Sequence, residues 1–343
     1  MKFLFITSHL SVGGAEKILA KQCQILKKYG FDVSVICTDI LGPTADIIKS
    51  LGIPIIDMSF GSRKDKIIPL RNAILSINPK IVYINNSFCP EAIAETKKYK
   101  LITQVHGCLK FQHRYPRRLL DAYEFDGIIT SHPRTNALLN TKCLSTTILN
   151  PIDKNFFTIP FKNNKENIIC FCGRISKEKS LLSLARIVKI VKKSINDISV
   201  VIIGDGDNDY KNQVIEEFDN IPLTITGFVP NPWEIFANAK ISVMLSVTEG
   251  FSNVLWESYA LGIPFVSTDV GSSYLLRQDT LEFEWDGKIM ELSDELDQPI
   301  ADLIIKLMNT QIDPNSLRRK ALTAHEDSYE PQFMKFINDV ISL

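Results

Sequence analysis

The chain has 343 residues, of which 45% are hydrophobic and 23% are charged. This composition is typical of a globular protein long enough for two domains, and it excludes a disordered, collagen-like or coiled-coil chain. The 39 Lys+Arg residues balance the 39 Asp+Glu residues. A formal net charge of zero excludes a protein built mainly to coat nucleic acid.

The N-terminal segment predicts a first strand rather than an export signal. Its apolar run spans only residues 3–6, which is shorter than the roughly 7 to 15 residues of a signal-peptide core. No run in the chain approaches the roughly 18 to 20 apolar residues of a membrane-spanning helix. The seven cysteines are an odd number, which without an export signal favours reduced thiols in the cytoplasm.

Short runs rich in Ile, Val and Phe alternate with helical patterns along the chain. Strands that are apolar throughout are buried on both faces, so these runs predict parallel sheets covered by helices. A first series of predicted strands covers 2–7, 32–37, 80–85, 100–105 and 127–130, and a second series covers 167–172, 198–203, 223–226, 241–245 and 264–267.

The stretch 150–167 separates the two series. It contains two prolines, three lysines and no sustained periodicity, so we place a domain boundary near residue 160. Doubly wound domains bind ligands at the carboxyl ends of their strands, which predicts a site in a cleft that the two domains face.

Two glycines, Gly13 and Gly14, lie between the first strand and a helical segment. Glycines at such a turn let the backbone approach a ligand, and the free N–H groups of the following helix favour an anion. A tight turn without a ligand is the alternative. Neither SVGGAE at this turn nor GDGDND at 204–209 completes the G-x-G-x-x-G fingerprint, so a nicotinamide site is not predicted.

In the first series, His106 directly follows the predicted strand 100–105 and so lies at its carboxyl end. A structural hydrogen-bonding role and a functional role at the predicted cleft both remain open for this side chain.

In the second series, the strand 167–172 leads into Gly173 and Arg174, and Lys179 follows shortly before a helix. Cations at a helix N-terminus oppose the helix dipole unless an anion is present. A diphosphate would supply that anion. The planar guanidinium of Arg174 would donate forked hydrogen bonds to it, and the ammonium of Lys179 would act as a point charge. A solvated charged loop is the alternative.

Residues 249–272 are the most informative stretch of the sequence. Ser252 or Asn253 can cap a helix that is apolar on almost all sides, which predicts a buried helix. Glu257 lies inside this helix, and a buried carboxylate is costly without partners. The vicinal hydroxyls of a ribose would satisfy it, and a structural ion pair is the competing explanation.

The loop before this helix carries Glu249, which can face the predicted cleft. The amides of Gly250, Phe251 and Ser252 follow at the start of the helix, where backbone N–H groups bind anions.

Together these segments resemble the retaining glycosyltransferases of family four, which have the GT-B fold. The resemblance covers residues 1–275. It rests on SVGGAE, VHG at 105–107, NPID at 150–153, GRISKEKS at 173–180, GDGD at 204–207, GFV at 227–229 and EGFSNVLWESYALGIPFVSTDVGS at 249–272.

The resemblance implies an α/β chain of two Rossmann-like, doubly wound parallel-sheet domains that face a central cleft. The acceptor-binding domain would cover residues 1–160 and the donor-binding domain residues 161–330. Residues 331–343 would form a C-terminal helix that can return to the first domain.

The resemblance also implies roles for individual residues. Arg174 and Lys179 would bind the donor's diphosphate and stabilise the charge that develops on it, Glu249 would hold the donor sugar, and His106 would contact the sugar near the reacting centre. These four form the implied catalytic set. The implied donor-binding residues are Gly13, Gly14, Gly173, Gly227, Phe228, Val229, Gly250, Phe251, Ser252, Asn253 and Glu257.

The implied activity is transfer of a hexose, with retention of configuration, from a nucleotide diphosphate sugar. A UDP-sugar is preferred and a GDP-sugar is next. The acceptor would be a hydroxyl of a saccharide or lipid-linked saccharide in lipopolysaccharide O-antigen, capsule or other surface-glycan synthesis. A nucleotide-sugar epimerase of the same fold and a non-catalytic sugar-nucleotide-binding subunit are the alternatives.

Retention in this family is ascribed to attack of the acceptor from the face that the leaving group departs from, so no carboxylate nucleophile is required. The leaving phosphate helps to take the acceptor's proton. No cofactor and no metal are expected. Asp205 and Asp207 have the spacing of a metal site, but in the family this segment is a turn near the nucleotide.

The chain departs from the family pattern after Gly271. After Gly271 the family often continues with a glycine and then a glutamate, whereas this chain continues with residues 272–275, SSYL. Donor-sugar contacts from this segment are therefore not assigned.

The zero net charge conceals two opposite halves. Residues 1–160 carry 21 Lys+Arg and 12 Asp+Glu, and residues 161–343 carry 18 and 27. Two basic clusters, 62–71 and 110–118, are interleaved with apolar residues, and each cation near an anionic membrane is worth about 1 kcal/mol. These two clusters predict a cytoplasmic protein whose first domain binds the membrane surface through residues such as Arg114, Arg117 and Arg118. A solvated charged face is the alternative.

Overall fold

A computed structural model of the protein describes residues 1–11, 13–86, 89–96, 98–106, 117–162, 165–276, 280–281 and 292–343. The chain divides into two compact units. The first consists of Met1–Pro151 with Asp327–Leu343, and the second of Ile152–Glu326.

The first unit contains a seven-stranded parallel sheet in the order β3-β2-β1-β4-β5-β6-β7. Its strands are β1 (Lys2–His9), β2 (Asp32–Ile40), β3 (Ile55–Asp57), β4 (Ile81–Asn85), β5 (Lys100–Val105), β6 (Gly127–Thr130) and β7 (Leu144–Thr147). The helices between them are α1 (Gly14–Lys28), α2 (Thr44–Ser50), α3 (Arg63–Ile77), α4 (Pro90–Ala94), α5 (Arg117–Ala122) and α6 (Pro133–Ala137).

The second unit contains a six-stranded parallel sheet in the order β10-β9-β8-β11-β12-β13. Its strands are β8 (Ile168–Cys172), β9 (Ser199–Ile203), β10 (Leu223–Ile225), β11 (Ile241–Met244), β12 (Phe265–Thr268) and β13 (Thr280–Leu281). Its helices are α7 (Asn155–Thr158), α8 (Leu181–Lys192), α9 (Asn208–Glu217), α10 (Trp233–Phe236), α11 (Asn253–Ala260), α12 (Ser273–Leu276), α13 (Asp297–Asn309) and α14 (Pro314–Ala321).

Both sheets have the strand order of doubly wound folds, in which the order reverses direction next to the first strand. Every predicted strand is present, and the predicted α/β fold class is confirmed. The sequence analysis did not predict β3, β7 or β13. β3 and β7 are only partly buried, so they lack the continuous apolar run that identified the others.

The division between the units differs from the boundary expected near residue 160. Ile152 donates its N–H to the Ala324 carbonyl oxygen at 2.8 Å, and Arg318 donates to the Ile159 carbonyl oxygen at 2.7 Å. The Arg318 guanidinium also lies 3.8 Å from the ring centre of Phe161. These contacts hold residues 152–161 to the second unit.

The last helix, α15 (Glu326–Ile341), lies largely in the first unit. It begins before the expected residue 331. Its buried residues Phe333 and Ile337 belong to the same apolar cluster as Phe3 and Phe5 of β1. This packing makes α15 part of the helix layer on one face of the first sheet.

A buried polar network accompanies this packing. Gln22 of α1 donates through Nε2 to the hydroxyl of Tyr329 at 2.8 Å and to Gln104 Oε1 of β5 at 2.9 Å. Gln104 in turn donates to Asn150 Oδ1 at 3.2 Å. Burial raises the pKa of Tyr329, so its hydroxyl stays protonated. The network ties α15 to both α1 and the sheet.

In the second unit, two loops touch through their backbones. A Cβ atom on Gly204 would lie 1.9 Å from the Gly173 carbonyl oxygen, and one on Gly206 would lie 1.9 Å from that of Ile175. Gly204 also has a φ of +148°. Only glycine fits at these positions, so the β8–α8 and β9–α9 loops are fixed against each other.

The α15 packing predicts that Phe333→Ala lowers the free energy of unfolding by about 3–5 kcal/mol, because it removes a fully buried ring. Tyr329→Phe should cost about 1 kcal/mol, the typical net value of one hydrogen bond. Urea unfolding followed by far-ultraviolet circular dichroism measures both losses. Lys335→Ala, on the exposed face of the same helix, is the control, and an equal loss for it would contradict the packing.

The glycine contact predicts that Gly204→Ala destabilises the protein by about 1–3 kcal/mol, the usual cost of forcing extra volume into a packed site. Gly30→Ala is a control for backbone conformation alone, because Gly30 has a φ of +78° and nothing lies within 4 Å of its added Cβ. Urea unfolding compares the two variants. Equal losses would show that steric contact with Gly173 is not the cause.

Candidate functional site

The candidate site of the second unit is built on loops at one edge of its sheet. β10, β9, β8 and β11 are consecutive and parallel, so their carboxyl ends meet at the same edge. The loops after β8, β10 and β11 carry most of the predicted donor-binding residues of this unit. Ligands bind at this edge in doubly wound folds.

The loop after β8 presents two cations. Ile175 is fully buried and donates its N–H to the Asp205 carbonyl oxygen at 2.9 Å, which anchors the loop. Arg174, next to it, is exposed. Lys179 ends a short 3-10 turn, Lys177–Lys179, directly before α8. The loop is therefore rigid at its centre and charged on both sides.

Lys179 forms an ion pair with Glu249 of the loop after β11. Their side chains are 20% and 16% exposed, so the pair is largely withdrawn from water. A second contact joins the same loops, because Val247 donates its N–H to the Glu178 carbonyl oxygen at 3.0 Å. The structure thus brings together two of the predicted catalytic residues from distant parts of the chain.

The helix that follows, α11, is buried along most of its length, as expected. Leu255, Trp256 and Tyr259 are at most 2% exposed. Glu257, however, is half-buried rather than buried.

The expected cap of α11 is partly wrong. Ser252 occupies the N-cap position in a left-handed conformation, with φ +63°, and its side chain makes no capping hydrogen bond. Its hydroxyl instead donates to the Val270 carbonyl oxygen at 3.5 Å. The side chain is held by the neighbouring loop, and the first N–H groups of α11 are left uncapped by it. Asn253 is the first residue of the helix.

The segment that departs from the family pattern has a clear structural role. The Ser272 hydroxyl donates to the Phe251 carbonyl oxygen and accepts from Trp256 Nε1 at 2.9 Å. Phe251 stacks on Trp256 with ring centres 5.2 Å apart. A Cβ on Gly271 would lie 2.4 Å from the Gly250 carbonyl oxygen. These contacts hold the loop that carries Glu249.

The loop after β10 exposes an aromatic ring. Gly227 turns the chain with φ +69° and pairs with Gly204 in an isolated bridge. Phe228 is 60% exposed, and Val229 is partly buried. An exposed ring beside the site edge is available for stacking.

The two aspartates with metal-like spacing are engaged in local structure. Asp205 forms an ion pair with Lys211 at 2.8 Å, and Asp207 caps α9 by accepting from the Tyr210 N–H at 3.0 Å. Within the described residues, no group of three or more His, Cys, Asp or Glu side chains is arranged to hold a metal ion.

The predicted residues of the first unit lie at the carboxyl edge of its own sheet. Gly13 is the N-cap of α1 and Gly14 its first residue. A Cβ on Gly13 would lie 2.2 Å from Glu16 Oε2, so this carboxylate occupies the glycine turn. His106 follows β5 and is partly buried. Burial lowers the pKa of His106 to about 4, which leaves its imidazole neutral at neutral pH.

The sequence analysis missed several polar residues at this edge. Asn85 ends β4 and Asn86 follows it, and Glu16 lies in the first turn of α1. The sequence pattern that could have predicted the two asparagines is their position at the end of an apolar run, 81–84. The basic cluster 110–118 lies outside the described residues, except that Arg117 and Arg118 begin α5.

Part of the chain is similar to proteins of a known family. Residues 166–309 match a family model described as glycosyl transferases group 1. The capsular polysaccharide biosynthesis glycosyltransferase CapM of Staphylococcus aureus is 29% identical over 154 residues, which cover 43% of this chain and 38% of that protein.

A second relative is the N-acetylgalactosamine-N,N'-diacetylbacillosaminyl-diphospho-undecaprenol 4-alpha-N-acetylgalactosaminyltransferase of Campylobacter jejuni. It is 30% identical over 159 residues, which cover 45% of this chain and 40% of that protein. The chain thus matches less than half the length of these curated relatives.

Among solved structures, Anabaena Alr3699/HepE in complex with UDP superposes with a TM-score of 0.78 at 17% identity, covering 99% of this chain and 100% of that one. This likeness is one of fold, and it confirms the predicted GT-B architecture. The match to the family model lies at residues 166–309, within the second unit.

Proposed function

We propose that the protein is a retaining glycosyltransferase that moves a sugar from a nucleotide diphosphate sugar to a hydroxyl of a saccharide or lipid-linked saccharide in surface-glycan synthesis. The observation that carries this proposal is the Lys179–Glu249 ion pair at the adjacent ends of β8 and β11. It sets a phosphate-binding cation beside a hydroxyl-binding carboxylate within the segment that matches the family.

The donor would replace this ion pair with its own groups. Lys179 and Arg174 would bind the diphosphate, and Glu249 would accept hydrogen bonds from hydroxyls of the donor sugar. Because both partners are mostly withdrawn from water, each is costly to leave unpaired. On donor binding, Lys179 would exchange Glu249 for the diphosphate and Glu249 would exchange Lys179 for sugar hydroxyls. Neither charged group would then be left unpaired.

The remaining donor contacts follow the same edge of the sheet. Glu257, half-buried on α11, would accept from the ribose hydroxyls, and Phe228 with its neighbours would border the base. A UDP-sugar is the preferred donor and a GDP-sugar the next. The complex of the similarly folded HepE with UDP supports that order.

Catalysis would depend on the charge that develops on the leaving diphosphate. Arg174 and Lys179 would stabilise it, and preorganised charges of this kind supply a large share of transition-state stabilisation. We assign no metal to the reaction, because these two cations supply the charge that a divalent ion would otherwise provide. His106, neutral at neutral pH, would contact the sugar as a hydrogen-bonding group.

The names of the relatives support the acceptor class. CapM is described as an enzyme of capsular polysaccharide biosynthesis, and the Campylobacter transferase is named for a sugar acceptor linked to diphospho-undecaprenol. We therefore propose a saccharide acceptor, free or linked to a lipid diphosphate.

Membrane association remains a prediction. Among the residues that the structure describes, we find no helix that is both long and apolar enough to cross a bilayer. In the basic cluster of α3, three of four cations are paired within the first unit: Arg63 with Glu91, Lys66 with Asp39 and Arg71 with Glu95. This cluster therefore has less unpaired charge to offer an anionic surface than its sequence indicates.

Removing either cation should slow transfer strongly. We expect Arg174→Ala and Lys179→Ala each to lower kcat by roughly 100- to 1000-fold, the loss typical of one preorganised charge-stabilising donor. The assay is nucleotide release from a panel of UDP- and GDP-sugars, with membrane lipid extract as acceptor. Lys177→Ala, an exposed neighbour, is the control. Wild-type turnover in either test variant would rule out the diphosphate assignment.

The proposal also predicts that activity survives chelation. Excess EDTA should leave nucleotide release within about twofold of the untreated rate, since Arg174 and Lys179 rather than a metal stabilise the leaving group. Complete loss of release, restored by added magnesium or manganese, would overturn the metal-free mechanism while leaving transferase activity itself established.

A further inference from the structure

The end of α11 is held partly by its own chain and partly by another helix. An α-helix leaves its last four carbonyl oxygens without partners inside the helix. Gly262 turns the chain after α11 with φ +67°. The N–H groups of residues 261–263 donate at 2.9 or 3.0 Å to three of the four oxygens, those of Glu257, Ser258 and Tyr259. The fourth oxygen, that of Ala260, is bound from α14.

Arg318 of α14 supplies this bond and joins α11 to a further segment. It donates through Nε to the Ala260 carbonyl oxygen at 2.6 Å and through a terminal nitrogen to the Ile159 carbonyl oxygen at 2.7 Å. Its guanidinium also lies 3.8 Å from the ring centre of Phe161. A planar guanidinium donates along fixed directions and stacks on aromatic rings. One side chain therefore fastens the end of α11 to residues 159–161.

The helix that carries Arg318 is itself fixed. Asp313 caps α14 by accepting from two backbone N–H groups, at 3.0 and 3.1 Å. Leu317, next to Arg318, is 1% exposed. A Cβ atom on Gly262 would lie 2.6 Å from Pro314 Cβ, so the turn after α11 packs closely against the start of α14. Arg318 thus reaches α11 from a rigid support.

Glu257 lies in the turn that Arg318 holds. It precedes Ala260 by three positions, so the two residues belong to the same helical turn. The first turn of α11 has no side-chain cap, whereas its last turn is bound by a charged side chain. A positive charge at this end also offsets the negative end of the helix dipole. A displacement of the last turn would move Glu257 directly.

We propose that Arg318 is a positioning residue for the donor: by fastening the last turn of α11, it holds Glu257 where the carboxylate accepts from the ribose hydroxyls of the nucleotide. The hydrogen bonds of Arg318 go to backbone oxygens, so it acts on the donor only through α11. Hydrogen bonds weaken steeply as their geometry departs from the optimum. A small shift of this turn therefore weakens ribose recognition before it disrupts the fold.

This inference rests on the proposed transferase function, and nucleotide binding without acceptor tests it. Isothermal titration calorimetry with the full chain gives the Kd values of UDP and 2′-deoxy-UDP, or of GDP and 2′-deoxy-GDP if the wild type binds GDP instead. The ratio of the two Kd values reports the contact with the ribose 2′-hydroxyl. A general loss of structure would raise both Kd values together and leave their ratio unchanged.

Arg318→Met is the main variant, because it keeps an unbranched apolar stem and removes the hydrogen-bond donors. We expect it to raise the Kd of UDP about tenfold and to lower the deoxy-to-normal Kd ratio from about tenfold to about twofold, the effect of one lost hydrogen bond to the ribose. Arg318→Lys keeps the charge but lacks the planar fork, so it should give intermediate changes. It also provides the measurement if Arg318→Met does not fold.

A double-mutant cycle tests whether Arg318 acts through Glu257. In a Glu257→Gln background, Arg318→Met should change the Kd of UDP less than about twofold, because the effects of coupled residues do not add. Two controls should leave the Kd ratio unchanged. Arg319→Met removes the neighbouring cation, which is 68% exposed and pairs with Asp313 at 3.5 Å. Ile304→Val trims a fully buried residue of α13 and lowers stability through an unrelated contact.

The outcomes separate the positioning role from the proposed function. An unchanged Kd ratio in both Arg318 variants, additive losses in the cycle, or an equal change in either control would overturn the positioning role, while nucleotide binding by the wild type leaves the transferase function standing. A wild-type ratio near one would also overturn it, because the ribose 2′-hydroxyl would then have no contact to lose. If the wild type binds neither UDP nor GDP, the proposed function fails and the positioning role fails with it.

Discussion

Parallel strands present their carboxyl ends at one edge of a sheet, and every strand pair in the two sheets is parallel. Within each unit, this constraint gathers loops from distant parts of the chain. Lys179 and Glu249 are 70 residues apart, yet they meet because β8 and β11 are neighbours. In the first unit the same constraint gathers Asn85 and His106 at one edge.

Close backbone contacts then hold these loops in place. Gly204 and Gly206 touch the loop after β8 at distances that a Cβ atom would not allow, and Ser272 binds the loop that carries Glu249 through Phe251. The diphosphate-binding role proposed for Arg174 and Lys179 requires cations that are positioned before the reaction begins. The glycines and Ser272 supply that positioning in the second unit.

Much of the fold was predictable because burial leaves a pattern in the sequence. Strands covered on both faces are continuously apolar, so the central strands of both sheets were predicted, whereas β3 and β7 at the sheet edges were not. The site loops were predicted from motifs that combine glycines, cations and carboxylates. Glu257 was wrongly expected to be buried, because helical periodicity gives the direction of a side chain and not what covers that face.

The sequence by itself determined the α/β class, the alternation of strands and helices, and the loops that carry Arg174, Lys179 and Glu249. These features depend on local burial and on turn conformations, which short stretches of residues encode. Only the tertiary structure decided that Lys179 pairs with Glu249, that Ser272 rather than a cap holds the start of α11, and that Arg318 holds its end. Such pairings depend on strand order and on side chains from distant segments, and no local pattern records either.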